Sequence, residues 1–135
     1  MERSESAVER KHEIGCNCCQ AVLLEFAPEI KERCADCNEE KLLALGSGFG
    51  SGMGNMEATC GALVGAGMVV GLLGGNRRNL SPEFKERVGA LKCAEIKGVK
   101  FDSLTGKLVH GKVLCSCDNC VRHAVQIAEN AISEI

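Results

Sequence analysis

The chain has 135 residues, 45% of them apolar, which is enough for one small core over residues 1–135 but not for two. Its 16 basic and 18 acidic residues leave a net charge of −2, so no long-range field draws it to nucleic acid or to an anionic membrane. Trp and Tyr are both absent, which removes the usual stacking platforms for bases and cationic ligands, whereas Cys occurs ten times.

The N-terminal stretch MERSESAVERKHE is charged and has neither the apolar region of a secretory signal nor a twin arginine, so the cytoplasm is the expected compartment. Ten cysteines in a reducing compartment point to metal ligation or thiol redox chemistry rather than to a disulfide scaffold.

In chain order, residues 4 to 14 predict an amphipathic helix closed by Gly15. Asn17 with Gln20 three residues on is a capping-box pattern, so a second helix is predicted from Cys18 to about Ala27, stopping near Pro28; one helix running through Gly15 is the rival reading. Residues 29 to 38 are a polar connector carrying Cys34-Ala-Asp-Cys37, and Asn38 caps a short helix from Glu39 to Leu45. The five-glycine stretch GSGFGSGMGN, residues 46 to 55, is loop. It fits no phosphate-binding register, because no G-x-G-x-x-G, no following Lys-Ser/Thr and no preceding strand are present.

From Asn55 to Gly75 a helix is predicted that carries no charge on any side beyond Gly61. A helix apolar all round is buried all round. Its 15 uncharged residues reach about 22 Å, short of the about 30 Å of a bilayer core, which favours a central core helix over a membrane span. Gly61 and Gly65, then Gly67, Gly71 and Gly75, form two stripes where backbones or a bulky cofactor can approach, and a homodimer contact is a further use for them. Ser81-Pro82-Glu83 starts a helix expected to continue to about Ile96. Residues 98 to 114 predict a small hairpin around Thr105-Gly106. The last helix has Asp118 or Asn119 as N-cap, and its apolar positions Val121, Ala124, Val125, Ala128, Ala131, Ile132 and Ile135 follow helical periodicity. The fold class is therefore all-α: a small helical bundle around a central glycine-rich apolar helix, with one short hairpin.

Helix N-termini present unpaired N–H groups and partial positive charge, which favour thiolate over thiol. Cys18, Cys60 and Cys120 all fall early in predicted helices. The remaining local groupings are Cys16 beside Cys18-Cys19, Cys34-x-x-Cys37, and Cys115-x-Cys117-x-x-Cys120; Cys93 is solitary. A lone C-x-x-C is compatible with zinc, iron–sulfur or a dithiol. Neither CADC nor CDNC is followed by His, so covalent haem attachment is not indicated, and CADC lacks a thioredoxin-like βαβ context. His123, three residues after Cys120, reads as a helix-surface residue rather than a ligand.

The segments GCNCCQAV, SGFGSGMGNMEATCGALVGAGMVVGL, KCAEI and CDNCVRHAVQIAE resemble the redox-active protein family named for its C-G-C-A-x-x-G-C-C cysteine pattern, over nearly the whole chain. The resemblance singles out Cys18, Cys60, Cys93 and Cys120 as the family's four cysteines. It implies redox chemistry, without a specific reaction.

Together these readings predict a redox protein that holds an iron–sulfur cluster, [4Fe–4S] first, on Cys18, Cys60, Cys93 and Cys120, and that transfers electrons with a partner protein rather than converting a substrate. Gly52, Gly54 and Gly61 are the candidate backbone contacts to such a cluster. Cys34, Cys37, Cys115 and Cys117 make a candidate second set, and Cys16 and Cys19 are unassigned. Thiol–disulfide exchange and a structural zinc site are the alternatives.

Overall fold

A computed structural model of the chain describes residues 2–102 and 104–133. Its elements are α1 (Arg3–Ile14), α2 (Cys18–Glu25), α3 (Ala27–Arg33), α4 (Glu39–Gly46), a π turn (Gly52–Met56), α5 (Gly61–Leu73), α6 (Leu80–Val88), α7 (Cys93–Lys97), strands β1 (Val99–Asp102) and β2 (Lys107–His110), and α8 (Cys117–Ser133). The fold is all-α apart from one antiparallel hairpin, in which Val99 pairs with His110 and Asp102 with Lys107. Ile135, the last residue of the predicted C-terminal pattern, lies outside the described residues.

Local chemistry sets the first two helices. Gly15 takes a left-handed φ of 75° and closes α1, so the chain breaks there instead of running on. Asn17 then forms the predicted capping box: its Oδ1 accepts from the Gln20 N–H at 2.8 Å, and Gln20 Oε1 accepts from the Asn17 N–H at 3.0 Å. Pro28 does not simply stop α2. Phe26 ends α2 and starts α3 with Pro28 in its first turn, so residues 29 to 33 are helical where a connector was expected.

The central helix α5 packs on α2 and α8, with α1 laid across α2 and α8, α6 against α8, and α4 against α2. Phe84, Leu23, Leu24, Ile30, Leu42 and Ile127 are the largest fully buried side chains. Polar links tie the outer helix in place: Lys11 and His12 bind the two carboxylate oxygens of Asp118 at 3.0 and 2.8 Å, and Arg122 binds Glu5 at 2.7 Å.

Three expectations are corrected. First, α5 begins at Gly61 and not near Asn55, because Ser51, Met53 and Met56 all carry positive φ and the chain makes a tight π turn before the helix. Second, the predicted helix to Ile96 is two helices: Gly89, at φ 105°, ends α6, and α7 starts afresh at Cys93. Third, α5 is not buried all round. Gly71 is exposed, and Val64, Gly67, Met68 and Leu72 are only half-buried; a Cβ at Gly67 or Gly71 would face open space. No helix among the described residues is long and apolar enough to cross a membrane.

The two glycine stripes have different roles. A Cβ on Gly65 would lie 2.8 Å from the Cys19 carbonyl oxygen, and one on Gly61 would collide with the Phe49 carbonyl, so this stripe lets α5 approach the α2 backbone and the glycine loop. A Cβ on Gly67 or Gly71 would meet nothing. Gly65→Ala is therefore expected to destabilise the fold by about 1–3 kcal/mol through overpacking, while Gly67→Ala is neutral or stabilising by up to about 1 kcal/mol through helix propensity. Urea unfolding of the two variants checks this, and equal effects would contradict the assignment of the stripes.

Candidate metal centre

Six of the ten cysteines, Cys18, Cys60, Cys93, Cys115, Cys117 and Cys120, line one small cavity with about 280 Å³ of empty space. Gly61, Ile96, Ser51 and Lys97 complete its wall. The backbone explains the convergence. Cys18 is the first residue of α2, Cys60 the N-cap of α5, Cys93 the first residue of α7, and Cys117 the first residue of α8 with Cys120 one turn on. Four helix N-termini thus point their unpaired N–H groups and partial positive charge toward one cluster of sulfur atoms.

Long-range pairing brings these starts together. The Cys60 N–H donates to the Leu91 carbonyl at 2.8 Å, the Cys93 N–H to the Ala58 carbonyl at 3.0 Å, and Thr59 pairs antiparallel with Lys92, so the solitary cysteines Cys60 and Cys93 become neighbours. The Leu114 N–H donates to the Ile96 carbonyl at 2.8 Å, which brings the segment before α8 back onto α7. Ser116, and not Asp118 or Asn119, caps α8: its Oγ accepts from the Asn119 N–H at 3.1 Å, and its carbonyl accepts from the Cys120 N–H at 2.9 Å. That shift of two or three residues makes Cys117 a helix-start cysteine.

The glycine loop closes the cavity from one side. Gly52, at φ 56°, is buried so tightly that a Cβ would stand 2.7 Å from Cys93 Cβ and 2.8 Å from the Ala58 carbonyl oxygen. Gly61 lines the cavity itself, whereas Gly54, at φ 89°, is exposed and a Cβ there would meet nothing. Ser51, Met53 and Met56 hold left-handed φ values of 49°, 67° and 66°, a concentration of backbone strain beside the sulfur cluster.

The sulfur atoms interact in pairs. Cys60 is held below the ordinary thiol range, first by a hydrogen bond from Cys120 and, against its burial, by the N–H groups of Ala62 and Leu63 at the start of α5. Cys117 is likewise lowered, by a hydrogen bond from Cys18 and then by the charge and hydrogen bond of Lys97 and the charge of Lys11, against its own burial. Their partners Cys120 and Cys18 are pushed up because they donate those hydrogen bonds and are buried. Burial also raises Cys93 and Cys115. The two lysines were not among the sequence candidates; no local pattern marks Lys97, whose place depends on the start of α7.

The remaining cysteines lie elsewhere. Cys19 is fully buried between α2 and α5, with its Sγ 3.9 Å from Met68 Sδ, and burial pushes its thiol up to about 12. Cys16 is half-buried in the loop before α2 and raised by burial. The candidate second set is divided: Cys115 and Cys117 line the cavity, whereas Cys34 and Cys37 stand together outside it, their Sγ atoms 2.7 Å apart. His123 does not line the cavity; its Nδ1 is buried without a hydrogen-bond partner among the described residues, and burial lowers its pKa.

Six thiols dominate the donor set of the cavity, with Ser51 and Lys97 beside them, which suits an iron–sulfur group or zinc and does not suit hard, oxygen-seeking cations. Among the described residues no three Cys, His, Asp or Glu side chains are arranged around a single ion position. In the reduced, metal-free protein the depressed Cys117 is expected to alkylate with iodoacetamide at a lower pH midpoint than Cys93 or Cys115. Lys97→Met should move that midpoint upward. A Cys117 midpoint at or above that of Cys93 would contradict the placement of Lys97 and Cys18 around it.

No curated protein and no solved structure matches the chain. The family described as "Putative redox-active protein (C_GCAxxG_C_C)" matches it over residues 16–131, a span that holds every cysteine of the cavity. On that match, the chain belongs to the C_GCAxxG_C_C redox-active protein family.

Proposed function

We propose that the chain is a cytoplasmic electron-transfer protein that carries an iron–sulfur cluster in the six-cysteine cavity, with Cys18, Cys60, Cys93 and Cys120 as thiolate ligands. The observation that carries this reading is the meeting of four Cys-bearing helix starts at one cavity lined by sulfur donors. When bound, a [4Fe–4S] group supplies one-electron redox chemistry. The chain's own residues do the rest. The N–H groups at the start of α5 stabilise the Cys60 thiolate, Gly52 and Gly61 let the loop and α5 backbone come close, and Lys97 sets a positive charge beside the sulfurs. Cys115 and Cys117 are additional donors for a larger group or for ligand exchange.

A second reading is favoured by a specific feature. The hydrogen-bonded pairs Cys18–Cys117 and Cys60–Cys120 each combine a thiol held down with one pushed up, the arrangement used in thiol–disulfide exchange. Structural zinc on the same thiols is the third. A homodimer formed through the uncovered Gly67 and Gly71 side of α5 belongs to the proposal as well, and a monomeric mass at micromolar concentration removes it.

Because Trp and Tyr are absent, the polypeptide scarcely absorbs near 280 nm and a bound chromophore stands out. Protein purified without oxygen is expected to show broad visible absorption with iron and acid-labile sulfide, and Cys60→Ser or Cys93→Ser to lose most of it, while Cys16→Ser retains it. Colourless protein with stoichiometric zinc and no sulfide would support the zinc site instead. Colourless, metal-free protein whose cavity thiols oxidise in pairs would support thiol exchange.

A further inference from the structure

Cys34 and Cys37, like Cys16, lie outside the cavity and are not fully buried, and these two stand side by side. Cys34 ends α3, its N–H donating to the Ile30 carbonyl at 2.8 Å. The Cys37 N–H donates back to the Cys34 carbonyl at 3.0 Å, so Cys34-Ala-Asp-Cys37 closes a single tight turn. Within it the Cys37 thiol donates to Cys34 Sγ at 2.7 Å, both residues half-buried between the exposed Ala35, Asp36 and Asn38. The turn therefore combines adjacent sulfur atoms with access from solvent.

The turn also stands away from the cavity. Helix α5 begins at the cavity and runs 13 residues, about 20 Å, to Gly74, and Arg33, the residue before Cys34, places its guanidinium against that far end. Helix α4 gives the same orientation: its last residue, Gly46, packs on Gln20 in the first turn of α2, while Asn38, next to Cys37, caps its opposite end.

We propose that Cys34 and Cys37 form a second redox centre, a surface dithiol that is oxidised to an intramolecular disulfide by exchange with a low-molecular-weight or protein disulfide, independently of the cavity. Cys34 Sγ, which accepts the Cys37 hydrogen bond, attacks one sulfur of the incoming disulfide; a Cys34 mixed disulfide forms and the first thiolate leaves. Cys37 then gives up its proton, attacks Cys34 Sγ and expels the second thiolate. The two cysteines lose two electrons and two protons, and the incoming disulfide becomes two thiols. The reverse reaction regenerates the dithiol with a thiol reductant.

Trypsin releases residues 34–41, CADCNEEK, which holds both cysteines and no other. Full-length protein, purified without oxygen, is equilibrated in glutathione buffers from fully reduced to fully oxidised, acid-quenched, alkylated, digested and weighed. The expected result is one two-electron transition of this peptide from doubly alkylated to unalkylated and lighter by two hydrogens, with the same midpoint in wild type and in Cys60→Ser. Cys37→Ser should lose the two-hydrogen shift and trap glutathione on Cys34, whereas Cys34→Ser should trap far less. A peptide that stays doubly alkylated in the most oxidising buffer, that collects glutathione without closing, or whose midpoint moves in Cys60→Ser would overturn the proposal.

Discussion

Bringing six sulfur atoms into one cavity is unfavourable unless something offsets their desolvation and mutual repulsion as they ionise. At Cys60 the N–H groups of Ala62 and Leu63 at the start of α5 do so, and at Cys117 the hydrogen bond from Cys18 and the charges of Lys97 and Lys11 do. Cys18, Cys60, Cys93 and Cys117 each stand at or beside the first residue of a helix, where N–H groups lack intrahelical partners, and Lys97 and Lys11 add positive charge. The rest of the fold follows from that demand. The helices must start at one end of the bundle, and the pairing of residues 58 to 60 with 91 to 93 keeps two of those starts together.

Glycine is what makes the convergence sterically feasible. Gly65 and Gly61 allow α5 to lie against the α2 backbone and the Phe49 carbonyl, and Gly52 fits between Cys93 and Ala58 where no side chain would. The loop that supplies Gly52 is strained at three residues, Ser51, Met53 and Met56. Such strain persists only where surrounding contacts over-determine the backbone, and Gly52, packed between Cys93 and Ala58, is where this loop is held.

Much of the local structure is legible from residue chemistry. The Asn17–Gln20 capping box, the Gly15 stop, the Asn38 cap and the hairpin at residues 98 to 114 follow from propensities that act over a few positions. What is not legible depends on tertiary contact. The apolar positions Phe84, Val88 and Leu91 read as one helix across Gly89, because periodicity does not register that Cys93 must turn back to Ala58. Cys115 and Cys117 were grouped with Cys34 and Cys37 because close spacing carries no information about which end of a bundle a pair occupies. Ser116, Asp118 and Asn119 are all of types that cap well, so residue type alone does not select Ser116 as the cap of α8. Membership of the C_GCAxxG_C_C family, by contrast, was readable from the glycine loop and the cysteines together.

Whether the converging thiols share one polynuclear group, as proposed, is tested most directly by X-ray absorption at the iron edge of protein purified without oxygen. The expected result is a first shell of sulfur alone and an iron–iron second shell, both lost together in Cys93→Ser. Absence of iron, or iron surrounded by nitrogen and oxygen with no iron neighbour, would contradict it.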